Sequence, residues 1–244
     1  MNTPASIFDK IVDKRRSYRL FQKDFIIPES VVSKSLERAI KSPNSSNMQL
    51  WEFYRIKSKE AKEEVAKICL SQAGAQTASE IVVFVARPDL WKKRQAVHLK
   101  RIENSPTKHI KNKLLDNSEF SYYNKVIPMF YDTSFACIRD LVKRFYVWNK
   151  SRQKPFMQDV FTKHVPVVAQ KSTALAAQTF MLSIAAEGYD SLPMEGLDSK
   201  RMKRFLKLPN QAEINMAIAV GKGLPEGVRG GRFRIPYDQV VFEK

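Results

Sequence analysis

The sequence is poor in cysteine. Its 244 residues include only two, Cys69 and Cys137, which stand far apart. Neither has a neighbour at metal-ligand spacing, and a chain of this length can bury enough apolar surface to fold without disulfides. Residues 1–14 also lack the apolar core of an export signal. We therefore expect reduced thiols and a cytoplasmic location.

Long apolar runs and several catalytic motifs are missing too. No run reaches the roughly 18 residues of a membrane-spanning helix, so we predict no membrane span. There is no G-x-S-x-G, no phosphate loop and no paired histidine. His98, His109 and His164 stand alone, and we interpret each as non-catalytic. We predict no metal site and name no catalytic side chain, so an enzyme built from these residues needs a cofactor.

Acidic residues are outnumbered: 42 lysines and arginines face 25 aspartates and glutamates, which gives a formal net charge of +17. Such a charge attracts nucleic acid, acidic membrane surfaces or phosphorylated small molecules, and composition does not choose among them. A basic stretch over residues 92–113 favours a solvated helix face.

Apolar spacing predicts alternating helices and strands. The clearest strand is 81–86, whose unbroken apolar run indicates burial on both faces. The other predictions are helices over 4–16, from Pro28, 59–70, 90–115, 132–148 and 200–206, and strands over 52–56 and 214–220.

The longest predicted helix runs from Ser172 or Thr173, as its cap, to Gly188 as its stop. It has almost no polar face, which indicates burial on every side, in a core or at a subunit interface. A tight loop over 192–196 is expected to follow.

Two arginine-rich segments could bind an anion. Arg15, Arg16 and Arg19 surround Ser17, and guanidinium groups bind phosphate bidentately. Near the C-terminus, alternation places Arg232 and Arg234 on one side of an extended chain. The alternatives are a basic helix end that complements the helix dipole and a flexible Arg-Gly tail.

Four segments in order resemble the FMN-dependent nitroreductase family. They are R-R-S-Y-R at 15–19, P-N-S-S-N-M-Q-L-W at 43–51, P-M-E-G at 193–196 and R-F-R at 232–234. The resemblance covers 7–87 and 165–241. It implies an α+β fold with a central, mostly antiparallel sheet flanked by helices, as a single domain over 1–244. Residues 88–164 do not match and would form a variable insertion or lid.

The resemblance also implies an intertwined homodimer with composite sites for FMN. The N-terminal arginine segment, Arg232 and Arg234 would hold the flavin phosphate and ribityl chain. Gln72 would face the pyrimidine edge, and the segment from Pro193 to Gly196 would lie near flavin N5. The partner subunit would supply the loop after Ser42. The implied cofactor-binding residues are Arg15, Arg16, Ser17, Arg19, Pro43, Asn44, Ser45, Asn47, Gln72, Pro193, Met194, Glu195, Gly196, Arg232 and Arg234.

The implied activity is transfer of hydride from NADH or NADPH through flavin N5 to a nitroaromatic, quinone or similar small-molecule acceptor, in ping-pong order. The alternatives are an FMN-binding relative that carries out dehydrogenation or reductive dehalogenation, and a basic nucleic-acid-binding protein. Three positions depart from the family pattern: Asn44 and Leu50 replace a serine and a proline, and Gly74 stands where a longer polar residue is common.

Overall fold

The computed structural model describes residues 3–104 and 118–244, so His109 and the basic stretch beyond residue 104 lie outside the described residues. The described chain places helices on both faces of one sheet. The strands are β1 Trp51–Ile56, β2 Glu80–Ala86, β3 Asp190–Met194 and β4 Glu213–Gly221. The helices are α1 Pro4–Lys14, α2 Glu29–Ala39, α3 Lys59–Ile68, α4 Ala73–Thr77, α5 Trp91–Glu103, α6 Ile127–Tyr131, α7 Ala136–Ser151, α8 His164–Ala186 and α9 Ser199–Phe205.

The sheet has the strand order β1-β2-β4-β3, and all its pairings are antiparallel. This confirms the α+β prediction. Every residue of β2 is buried, because successive side chains of a strand point to opposite faces and both faces are covered. Ile81 and Val83 pack with α3, α4 and α9, whereas Val82 and Phe84 pack with α2 and α8.

Helix α8 begins earlier than predicted, at His164, so the cap assigned to Ser172 or Thr173 is wrong. Pro166 stands in its first turn, where a missing N–H costs no helical hydrogen bond. The hydroxyls of Ser172 and Thr173 instead donate to the carbonyls of Val168 and Ala169, at 3.1 and 2.9 Å. Ser172 and Thr173 are residue types that favour a helix N-terminus, but here they lie inside α8.

The end of α8 is as predicted, with Gly188 in the left-handed region at φ 95°. The amide of Tyr189 donates to the carbonyl of Ile184 at 3.0 Å, which completes the glycine-terminated cap. Burial on every side is wrong for one chain, because Val167 and Leu175 are 46% and 48% exposed.

Residues 192–196 are not all loop. Asp190–Met194 form β3, which pairs with β4 from Asp190 opposite Gly221 to Met194 opposite Ala217. Pro193 is compatible with this pairing because β3 is an outer strand of the sheet. Only Glu195 and Gly196 of the predicted loop lie beyond the strand, and both are exposed.

Helix α7 turns its apolar side outward. Ile138, Leu141 and Phe145 are each about two-thirds exposed. The inner side carries Val147 and Lys143, whose ammonium group donates to the carbonyl of Phe130 at 3.3 Å. This arrangement leaves a large apolar surface uncovered within one chain. In the described residues, no helix is long and apolar enough to cross a membrane.

The C-terminal arm, residues 228–244, is a second uncovered surface. Phe233, Tyr237 and Phe242 are each more than 70% exposed. These side chains belong to an arm that contributes no strand to the sheet, so they leave apolar surface uncovered within one chain.

Candidate functional site

The two arginine segments meet in one cavity of about 170 Å³, which we call the arginine cavity. Six arginines and no acidic residue line it, so its positive charge is not neutralised from within. This lining favours an anion with more than one negative charge, such as a phosphate group. The lining residues are Arg15, Arg16, Ser17, Arg19, Val228, Arg229, Gly231, Arg232, Phe233 and Arg234.

Backbone hydrogen bonds fix the N-terminal wall of the arginine cavity. The amide of Tyr18 donates to the carbonyl of Ser191 at 3.1 Å, and that of Arg19 donates to Gly227 at 2.9 Å. A Cβ at Gly227 would lie 2.6 Å from the amide nitrogen of Leu20, so only glycine permits this approach. Residues 17–20 are therefore held between β3 and the start of the C-terminal arm.

The arginines are not equivalent. Arg232 donates through Nη2 to the carbonyls of Val12, Asp13 and Arg15, at 2.9, 2.7 and 3.0 Å. Arg232 thus binds the carboxyl end of α1, where a positive charge complements the helix dipole. Arg19 makes one long bond, from Nη1 to the carbonyl of Ser17 at 3.4 Å, and so remains available for a ligand.

Electrostatics agree with an anion site. Burial lowers the pKa of Arg15 from its ordinary value, and the charges of Arg232, Arg234 and Arg16 lower it further. Arginine stays protonated at any working pH, so the lowered pKa reflects burial of the charge first and repulsion by the neighbouring arginines second. A bound dianion would relieve that repulsion.

Gln72 and Gly196 form a second group near the arginine cavity. The side-chain amide of Gln72 donates to the carbonyl of Gly196 at 2.9 Å. Gly74 explains how α4 comes close: a Cβ there would lie 2.3 Å from a methyl of Leu192 and 3.6 Å from the Cα of Arg19. The glycine at position 74, where the family pattern has a longer polar residue, therefore leaves room for the side chain of Leu192.

The residues of P-M-E-G divide between core and surface. Met194 is 2% exposed and packs in the core, so its side chain cannot touch a ligand, and only its backbone is available. Pro193 is half-buried within β3, whereas Glu195 and Gly196 are exposed after it. A role near a cofactor thus falls on the backbone of this turn.

Loop 43–50 lies elsewhere. It precedes β1, whose Trp51 is opposite Ala86, at the sheet end where β4 begins. The amide of Ser45 donates to the hydroxyl of Ser172 at 3.2 Å, and that of Gln49 donates to Oδ1 of Asn44 at 2.8 Å. Pro43, Asn44, Ser45 and Asn47 are therefore not brought to the arginine cavity within one chain.

Sequence reasoning missed Arg229, which lines the arginine cavity. The signal was present, because Arg229 stands in the same G-V-R-G-G-R-F-R run as Arg232 and Arg234. Alternation pairs only Arg232 with Arg234, because Gly230, with its positive φ of 57°, lies between them and Arg229.

A second, wider groove of about 1020 Å³ lies beside α3 and contains none of the predicted site residues. Its lining mixes five lysines with four acidic residues. Glu29, at its edge, is paired with Arg55 and Lys57. A nearly balanced, open groove favours no particular charged ligand, so we place the candidate site at the arginine cavity instead.

Comparisons with known proteins cover most of the chain. The model of the nitroreductase family matches residues 12–222. Protein DrgA of Synechocystis sp. is 28% identical over 215 residues, which span 88% of this chain and 83% of that protein. The Bacillus subtilis protein ydfN superposes with a TM-score of 0.75 at 21% identity, over 98% of this chain and 100% of that one. An Exiguobacterium sibiricum protein solved in complex with FMN gives a TM-score of 0.70 at 19% identity, over 97% of each chain.

Proposed function

Because the chain belongs to the nitroreductase family, we propose that it is an FMN-dependent oxidoreductase that takes electrons from NADH or NADPH and passes them to small acceptors. Nitroaromatics and quinones are the proposed acceptor classes. The observation that carries the proposal is the arginine cavity, where six arginines surround a space without an acidic partner. This lining suits the phosphate of FMN.

The residues divide the work of holding the cofactor. We assign the phosphate to Arg15, Arg19 and their neighbours in the arginine cavity. We assign the flavin pyrimidine edge to the side-chain amide of Gln72. Its bond to Gly196 already holds this amide beside the P-M-E-G turn. The exposed backbone at Glu195 and Gly196 can donate a hydrogen bond near flavin N5.

Bound FMN would supply hydride transfer through N5, with the oxidised nicotinamide leaving before the acceptor binds. The protein contributes position and charge. Positive charge and backbone N–H groups stabilise the negative charge that the flavin ring gains on reduction.

We also propose that the active unit is a homodimer. Loop 43–50 and the arginine cavity are separated within one chain, so a site that uses both needs a second copy. The exposed arm, the exposed stripe of α8 at Val167 and Leu175, and the outward side of α7 are apolar surfaces that a second copy would cover.

Chain truncation tests the dimer. Removing residues 237–244 deletes Tyr237 and Phe242 but keeps all six arginines of the cavity. We expect dimers for the full chain and monomers for the truncated chain, measured by light scattering after gel filtration. Removing only residues 243–244 is the matched control and should leave the dimer intact. A monomeric full-length protein would overturn the dimer proposal.

Cofactor binding tests the activity. We expect purified protein to be yellow, or to bind added FMN at one per chain, and to oxidise NADH or NADPH when a nitroaromatic or quinone is present. Bound FMN without turnover of any such acceptor would favour dehydrogenation or reductive dehalogenation. Colourless protein that cannot take up FMN, yet binds DNA with a steep salt dependence, would refute the flavoenzyme.

A further inference from the structure

Loop 43–50 has an unusual backbone. Ser46, Asn47 and Gln49 have φ angles of 53°, 50° and 49°, in the left-handed region that non-glycine residues rarely adopt. Each such residue costs energy because its Cβ approaches the following carbonyl. The loop therefore needs contacts from elsewhere to hold this conformation.

Two rings, one on α5 and one in the turn before α6, provide those contacts. The hydroxyl of Tyr123 donates to the carbonyl of Ser46 at 2.8 Å. Nε2 of His98 lies 2.8 Å from the carbonyl of Asn47, so it donates there as the Nε2–H tautomer. The two carbonyls thus belong to consecutive strained residues, and each is bound by one ring.

The rings also support each other. Their centroids lie 4.4 Å apart with planes 7° apart, and both side chains are 6% exposed. Tyr123 belongs to a short π-helix, Tyr122–Val126, and the side-chain amide of Gln95 donates to its carbonyl at 2.7 Å. π-Helices are rare and often occur at functional sites.

We propose that His98 and Tyr123 are positioning residues that hold Ser46 and Asn47 in their left-handed conformation and so fix the loop that meets the partner's flavin. The flavin part of this proposal rests on the proposed function. It also assigns a task to two described parts of 88–164: α5 and the π-helix hold loop 43–50 in place.

Removing the hydroxyl of Tyr123 should release the loop. In Tyr123→Phe the ring still stacks on His98, but the carbonyl of Ser46 loses its donor. The loop then relaxes, and FMN binding must restore the strained conformation. We expect FMN affinity to fall by about five- to thirtyfold, which corresponds to the energetic cost of holding one non-glycine residue in the left-handed region. His98→Phe should act in the same way on Asn47.

Glycine rescue separates positioning from simple packing. Glycine adopts the left-handed region without penalty, so Tyr123→Phe should change FMN affinity by less than about twofold in a Ser46→Gly background. Ser46→Ala is the matched control, since it removes the same hydroxyl, including its 2.6 Å contact with Tyr122, but keeps the Cβ. In that background the full loss should persist. Equal losses in both backgrounds would overturn the proposal.

A second readout does not need FMN. The amide of Gln49, bound to Oδ1 of Asn44, reports the loop by hydrogen exchange. We expect Tyr123→Phe to speed its exchange in the Ser46→Ala background and to leave it nearly unchanged in the Ser46→Gly background. If neither the native protein nor any variant binds FMN, the proposed function is wrong, and hydrogen exchange at Gln49 still tests whether His98 and Tyr123 hold the loop. If Tyr123→Phe changes the exchange rate of Gln49 equally in the Ser46→Ala and Ser46→Gly backgrounds, the positioning role is wrong, whatever the FMN affinities are.

Discussion

Arg19 offers the sharpest test of the arginine cavity. Its guanidinium makes one hydrogen bond, at 3.4 Å, which is at the weak limit for such a bond. Arg19→Ala therefore removes little that stabilises the free protein. We expect the free energy of unfolding without ligand to change by less than about 0.5 kcal/mol.

The loss should appear in FMN binding. A hydrogen bond to a charged group contributes about 1.5–3 kcal/mol, which corresponds to roughly ten- to 150-fold in the dissociation constant. Arg234→Ala should act similarly, since its one bond, to the carbonyl of Phe233, is local. Arg19→Lys keeps the charge but loses the planar fork, so its loss should be intermediate.

Quenching of FMN fluorescence, titrated at two salt concentrations, measures the dissociation constants. Arg201→Ala is the matched control: Arg201 is exposed, pairs with Asp198 on α9 and does not line the cavity. Unchanged affinity in both Arg19→Ala and Arg234→Ala would show that the phosphate binds elsewhere. A matching loss in Arg201→Ala would show that net charge, rather than the cavity, controls binding.

Three further predictions follow from other contacts. Arg232→Ala removes three bonds to carbonyls at the end of α1, so it should lower the urea-unfolding free energy by about 1–3 kcal/mol as well as weakening FMN. Gly227→Ala forces backbone apart at Leu20 and should cost about 1–3 kcal/mol by the same measurement, whereas Gly231→Ala, with open space around it, should be neutral. Burial lowers the pKa of His98 below its ordinary value of 6.5, a direction that nearby Arg101 favours and Glu119 opposes. As the pH falls, His98 therefore takes up a proton more readily in the unfolded chain than in the folded one, so the free energy of unfolding should decrease below about pH 6.5. Urea midpoints measured over a pH series should show a smaller decrease in His98→Phe.

Local signals were sufficient for most elements. The unbroken apolar run at 81–86 predicted a doubly buried strand, because consecutive apolar residues of a strand point to opposite faces and both must be covered. Gly188 marked the end of α8, because its backbone conformation excludes most other residues. Both features depend on residues close in sequence.

Elements that depend on distant partners were predicted less well. The interior proline of Asp190–Met194 indicates a loop, and only pairing with β4 makes this segment a strand. Apolar spacing in α7 predicted which residues share one side of the helix but not which way that side faces, and in the structure it is exposed. Periodicity shows which residues share a face, not what that face meets.

The arginine cavity shows the same division. Residue chemistry marked the two arginine segments as anion binders, although more than 200 residues separate Arg19 from Arg229. Their meeting depends on contacts between residues far apart in sequence, among them the backbone bond from Arg19 to Gly227, whose acceptor must be a glycine, and the bonds of Arg232 to the end of α1. The brace formed by His98 and Tyr123 had no sequence signal, since an isolated histidine and a tyrosine carry no spacing rule.

The separation of loop 43–50 from the arginine cavity decides what a single chain can do. Ser172 holds the loop against the first half of α8, whereas the carbonyl of Ile184 accepts the capping bond at the carboxyl end, next to β3. At 1.5 Å per residue these positions are roughly 18 Å apart along a rigid helix. No local motion of the loop closes that distance, because β1 and β3 are also opposite edges of the sheet. A monomeric truncation that keeps the six arginines should therefore still recognise inorganic phosphate but bind FMN far more weakly, since the loop contacts come only from a second copy. Equal FMN affinity in monomer and dimer would mean that one chain holds the flavin alone.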